Sequence, residues 1–184
     1  LLVATVTSSG PFILLPGGEQ TPAFEQGDFQ RQYYALLGDR VAWLVTLYFG
    51  LQSLLFYAAL AWLPSILRDS GLGAGGAGAL LALFALGGIP PSLVVPIVAT
   101  RMRDQRALAA GVAAVEASAV VGLLAAPGGA ALWVFLFAIG QGAAFSLALT
   151  VIILRAPDSK RAAELSGMAQ AIGYLLAAIG PVAI

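Results

Sequence analysis

The chain has 184 residues, of which 60% are apolar and 10% charged, with nine basic and nine acidic side chains and neither cysteine nor histidine. A soluble domain devotes roughly a quarter of its residues to charge, and so few charges could not cover a water-facing surface without large apolar patches. The missing cysteine and histidine exclude a thiol nucleophile, an imidazole base and a soft-metal site.

Residues 1–15 are apolar but broken by Ser8, Ser9, Gly10 and Pro11, and they read either as the tail of a preceding span or as a buried loop. Residues 17–40 are polar, aromatic and mildly acidic, so residues 1–40 are expected to end in a cytoplasmic, interfacial linker. The chain has no starting Met and no basic leader region, so its left end is expected to be a cut. From there on, residues 41–184 read as a transmembrane bundle. A charge-free run over 41–67 reaches about 40 Å as a helix, enough to span with tilt. Charge-free runs follow at 77–99 and 130–154; the run at 107–126 is interrupted only by Glu116, and a fifth run covers 167–184. All are too long for strands and lack period-two alternation. The fold class expected is all-α, a polytopic bundle of transmembrane helices in a cell membrane.

The turn "APGG" at 126–129 is too short for anything but an antiparallel pair of neighbouring helices. Orientation follows from Lys and Arg. Arg31 and Arg40, then Arg101, Arg103 and Arg106, then Arg155, Lys160 and Arg161 fall on one side of the membrane, and only Arg68 falls on the other. The positive-inside rule places the linker, "TRMRDQR" and "RAPDSKRAAE" in the cytoplasm, with "RDSG" and "APGG" outside. Trp43 and Trp62 sit near opposite ends of the first span, where amphipathic rings favour the interface.

No enzyme is expected. The carboxylates are scattered singly, and "GLGAGGAG" leads into a membrane helix instead of following a strand, so no phosphate cradle, cofactor or metal is implied. The short basic clusters are topology anchors, not a nucleic-acid surface. Pro90, Pro91 and Pro96 interrupt the second span, and Pro64 and Pro181 lie near helix ends; the carbonyls they free are tolerated in a bilayer only against protein or a wet cavity. Gly140 with Ala144, Gly142 with Ser146 and Gly173 with Ala177 place small residues four apart, which lets helix backbones approach. Both features suit a gated bundle and ordinary helix packing alike.

The stretches "YFGLQSLLFYAALAWLPSILRDSG" and "LRAPDSKRAAELSGMAQAIGYLLAAIGP" resemble the C-terminal half of a major facilitator superfamily transporter, and within it the cyanate and nitroimidazole transporter-like family. The resemblance covers about residues 41–184 and implies helices seven to eleven of a twelve-helix carrier. The superfamily's basic cytoplasmic loop is matched by Arg101, Arg103, Asp104 and Arg106, and its glycine-proline signature by Gly180 and Pro181. By that resemblance the loop cluster is a cytoplasmic gate whose ionic contacts break and reform. The chain matches only part of one half, so a fragment of a larger carrier, partnered by an N-terminal half, is expected.

Polar groups inside the spans supply the candidate binding site. Ser53 and Tyr57 lie four apart with Gln52 beside them, and Gln141, Gln170 and Tyr174 stand on the last two spans. Neutral amides and hydroxyls can hold a small polar or anionic solute without a permanent charge in the bilayer. Glu116, in mid-span, costs a few kcal/mol as a bare carboxylate, so it is expected to face the interior, to be protonated, or both. It is the candidate for coupling to protons. A secondary carrier for a small polar or anionic solute is the first reading, cyanate-like or nitroimidazole-like by resemblance. A non-transporting fragment or structural membrane subunit is the alternative.

Overall fold

The computed structural model describes residues 36–183. The expectations for residues 1–35, for Arg31 as a topology anchor and for Ile184 lie outside the described residues. The chain divides into two units, Leu1–Asp39 and Arg40–Ile184, and the second is the helical bundle.

Among its described residues that unit has seven helices: α1 Arg40–Asp69, α2 Ala74–Gly87, α3 Ile89–Arg101, α4 Arg106–Ala125, α5 Ala130–Arg155, α6 Ser159–Ala177 and α7 Gly180–Ala183. Four stretches among the described residues are long and apolar enough to cross a membrane: α1, α2 with α3 counted as one, α4, and α5 with the turn before it. The expected span at 77–99 is interrupted at Gly88, because Pro90 and Pro91 follow within the first turn of α3 and have no N–H to carry the ladder through. The expected span at 167–184 starts earlier and is also split. Asp158 is extended and its carboxylate accepts from the Arg161 N–H at 2.7 Å, so the helix begins at Ser159 instead of at the apolar boundary. It ends at Ala177, four residues before Pro181.

The connections are built from local chemistry. After α1, Gly71 takes a φ of +92°, and the Leu72 N–H returns to the Leu67 carbonyl at 3.1 Å, an end that only glycine enters without strain. Between α3 and α4 the Gln105 amide donates to the Ala99 and Met102 carbonyls at 3.2 and 3.0 Å, tying off the end of α3. Between α4 and α5 a single 3-10 turn, Pro127–Gly129, reverses the chain. There the Trp133 indole N–H donates to the Ala126 carbonyl at 3.0 Å, and its ring lies over Gly122, where any side chain would collide with it.

α5 is the central helix and packs against α1, α2, α3, α4 and α6, while α1 also runs along α6. Gly50 of α1 and Gly173 of α6 let those two backbones touch: a Cβ on Gly50 would lie 3.1 Å from the Gly173 Cα. Two apolar clusters fill the interior. One gathers Leu63, Leu67, Ala77, Phe84, Ala119, Val134, Phe137 and Ala138; the other gathers Val95, Ala99, Val112, Ala143, Ala144 and Leu147, with Tyr48 against it. Along every helix that contributes to both, the residues between them are the unusual ones: Gln52 on α1, the Gly88 break, Glu116 on α4 and Gln141 on α5. A polar layer thus lies between two apolar layers, near the middle of the spans. Outward, Leu44, Leu93, Val121, Leu124 and Leu175 are exposed, as side chains in hydrocarbon should be.

Candidate binding cavity

A cavity of about 360 Å³ opens at this polar layer, lined by Gln52, Ser53, Phe56 and Tyr57 from α1, Phe84 and Ala85 from α2, Gly88, Ile89 and Ser92 at and after the break, Ala138, Gln141, Gly142 and Phe145 from α5, and Tyr174 from α6. Helix spacing explains the α1 contribution: residues one, four and five positions apart share an arc of a helix. The lining holds no charged side chain.

Its hydrogen bonds form a chain. The Ser53 hydroxyl donates to Gln52 Oε1 at 3.3 Å, and Gln52 Nε2 donates to Gln141 Oε1 at 3.1 Å. Gln141 Nε2, shielded from water, has no partner among the described residues. The three residues are 4%, 6% and 3% exposed, so their bonds are made out of water. An unpaired buried donor costs about 1–3 kcal/mol. Aromatic rings complete the wall. Phe56 and Phe84 stack at 5.7 Å, and Tyr57 meets Tyr174 edge to face at 6.4 Å.

Of the six polar candidates, Gln52, Ser53, Tyr57, Gln141 and Tyr174 meet at this cavity. Gln170 is not among its lining residues; its amide turns back along α6 to the Ser166 hydroxyl at 2.7 Å. Sequence reasoning passed over Phe56, Phe84, Phe145 and Ser92, and it had no means to pair Gly88 with Gly142. An aromatic ring in an apolar run looks the same whether it meets lipid or a cavity.

Glu116 faces inward, 9% exposed, with its Cγ against Gly140. Its Oε1 and the Tyr48 hydroxyl are both buried without a partner among the described residues, and the two groups lie within electrostatic range of one another. At the predicted cytoplasmic end, Arg101, Arg103, Asp104 and Arg106 are exposed. Asp104 accepts from the Arg106 backbone N–H at 3.0 Å. The Arg106–Asp104 ion pair, at 3.9 Å with side chains 91% and 61% exposed, is worth about 0–1 kcal/mol. A second cavity of about 310 Å³ at that end is lined by Tyr48, Asp104, Gln105, Arg106 and Arg155 among others.

The chain is similar to three bacterial transporters. A Bacillus subtilis (strain 168) protein named as the uncharacterized transporter YycB is 43% identical over 82% of this chain and 38% of its own length. The 2-nitroimidazole transporter of Escherichia coli (strain K12) is 46% identical over 77% of this chain and 36% of its own. The cyanate transport protein CynX of Escherichia coli (strain K12) is 30% identical over 76% of this chain and 36% of its own. The chain thus spans well under half the length of the relatives it matches. No solved structure matches it. The sequence profile of the Major Facilitator Superfamily covers residues 5–181. With its membrane-length helices and these relatives, the chain is a multi-pass membrane protein that belongs to the Major Facilitator Superfamily, a family of transporters and not of enzymes.

Proposed function

We propose that this bundle is part of a larger secondary carrier that moves a small polar or anionic solute through the cavity between α1, α2, α3, α5 and α6. The observation that carries the reading is a cavity near the middle of the spans, lined by the amides of Gln52 and Gln141 and the hydroxyls of Ser53, Tyr57 and Tyr174, with no charged side chain in the lining. Such a site holds a solute by hydrogen bonds and ring contacts, tightly enough to select and weakly enough to release. The names of two relatives, a 2-nitroimidazole transporter and a cyanate transport protein, supply the solute class: small, planar or linear, and rich in acceptors.

Gln52, Ser53, Tyr57, Gln141 and Tyr174 are the solute contacts in this reading. Glu116 is the coupling group, a carboxyl in the polar layer that takes up and releases a proton. Arg101, Arg103, Asp104 and Arg106 act as a cytoplasmic latch against the other half of the carrier, each contact weak enough to break in a transport cycle. Uptake of labelled 2-nitroimidazole and cyanate by proteoliposomes containing the full-length protein tests the reading. Saturable uptake of either, lost when Gln52 and Gln141 are both changed to Leu, supports it. No saturable uptake of these or of comparable small anions leaves the structural-subunit alternative in its place.

A further inference from the structure

Resting on the reading of Glu116 as the coupling group and deepening it, we propose that Tyr48 is the positioning residue of that carboxyl: its hydroxyl holds Glu116 Oε1 while the coupling proton comes and goes at Oε2. Two buried groups on different helices each lack what the other supplies. The Tyr48 hydroxyl, on α1, and Glu116 Oε1, on α4, are both closed off and without a partner among the described residues. The phenol is a donor, and a carboxyl oxygen that carries no proton is an acceptor whether the group is charged or neutral. The same bond therefore serves both protonation states. Of the two carboxyl oxygens only Oε1 is both enclosed and unpartnered, which leaves Oε2 for the titrating proton. Tyr48 keeps its own proton throughout.

The fold brings the two groups to one level. Both helices start at the predicted cytoplasmic face, and Tyr48 lies eight residues into α1 where Glu116 lies ten into α4. At about 1.5 Å per residue their depths differ by about 3 Å. α5 packs against both helices and is slim where the side chains must pass. Gly140 lies against the Glu116 Cγ, where a Cβ would collide with it, and Tyr48 packs on the cluster that includes Ala143 and Ala144. The two groups are within electrostatic range of one another, so a bond between them, direct or through one bridging water, offsets the cost of leaving each unpaired. No other described titratable or charged group acts on Glu116. α5 meets it with glycine, and α3 contributes only Val95 and Ala99 to the apolar cluster below it. Thr46 also has a buried, unpartnered hydroxyl, but two residues from Tyr48 it points to the other side of α1.

The carbonyl stretch of a protonated carboxyl falls in frequency when that carbonyl accepts a hydrogen bond. Infrared difference spectra between acidic and alkaline pH, recorded on the full-length protein in lipid vesicles, thus report the bond without any substrate. The Glu116 band is the one that Glu116→Gln removes. Tyr48→Phe keeps the ring and its packing and loses only the hydroxyl, and it should move that band to higher frequency. Thr46→Val, which removes another buried hydroxyl of α1, should leave the band in place. A merely structural role for Tyr48 predicts no difference between the two variants. A Tyr48→Phe band at the wild-type frequency overturns the inference and leaves the coupling reading standing. So does an equal shift in Thr46→Val, which traces to looser packing of α1. If Glu116→Gln removes no band, Glu116 does not titrate, and the coupling reading falls together with the inference that rests on it.

Discussion

Replacing Gly142 by alanine should separate two helices that the fold holds in backbone contact. A Cβ at Gly142 would fall on the carbonyl group and Cα of Gly88, and neither can rotate aside as a side chain could. α3 and α5 must move apart, and a gap of about 0.5–1 Å forfeits a quarter to a half of the attraction of each contact across it. Overpacking of this sort costs about 1–3 kcal/mol, and a clash of backbone on backbone belongs at the upper end. The gain from alanine in a helix offsets about 0.5–1 kcal/mol, leaving a net loss of about 2–2.5 kcal/mol from the upper end of that range. Gly111→Ala is the matched control. It lies within α4, nothing stands within 4 Å of its Cβ, and only the helix gain of about 0.5–1 kcal/mol applies. Thermal unfolding of the two purified variants in detergent should place Gly142→Ala below the wild-type protein and Gly111→Ala level with it or above. Because Gly88 and Gly142 both line the cavity, Gly142→Ala should also lower uptake in vesicles. Equal stability of the two variants, or the opposite order, would refute the packing argument.

The remaining predictions address topology, binding and coupling. Since this sequence contains no cysteine, single cysteines at Thr100 and Gly128, both exposed, should react with an impermeant thiol reagent from opposite faces of the membrane; reaction from one face for both would sink the orientation. Gln52→Leu removes two buried hydrogen bonds, each of about 1 kcal/mol, and should weaken half-saturation several-fold, whereas Gln170→Leu, outside the cavity lining, should leave it within twofold; a larger effect at Gln170 would restore it to the site. Glu116→Gln keeps the hydrogen-bonding capacity but cannot titrate, so accumulation driven by a pH gradient should be lost while solute exchange persists, and full accumulation by the variant removes Glu116 from the mechanism.

The spans were legible because apolar runs of this length have one low-energy form in a bilayer, the helix. Their ends were legible less often, for two different physical reasons. At Asp158 a side-chain cap starts α6 in polar sequence, well before hydropathy turns apolar, so the apolar boundary at 167 is not where the helix begins. At Gly88 the opposite holds: the sequence is apolar throughout, and only the missing N–H groups of Pro90 and Pro91 end α2. Gln105 was read as part of a basic loop, yet it is buried and caps α3, a role that depends on where the preceding carbonyls end up in space.

The cavity was half legible, and the half that was missed shows what a single sequence encodes. Polar residues in a membrane span stand out because each must find a partner, so Gln52, Ser53, Tyr57, Gln141 and Tyr174 could be picked out one by one. Nothing in their spacing said that Gln52 and Gln141, 89 residues apart, share a bond, or that Gln170 satisfies itself within its own helix one turn from Tyr174. That difference is decided by the close passages. Gly50 against Gly173 fixes how α6 rotates on α1, and Gly88 against Gly142 fixes how the broken span meets α5. With those contacts set, Tyr174 faces the cavity, Gln170 does not, and the two glutamines at its back meet. The glycines therefore shape the site without binding anything, and a substitution there should alter solute selectivity as readily as one at the amides.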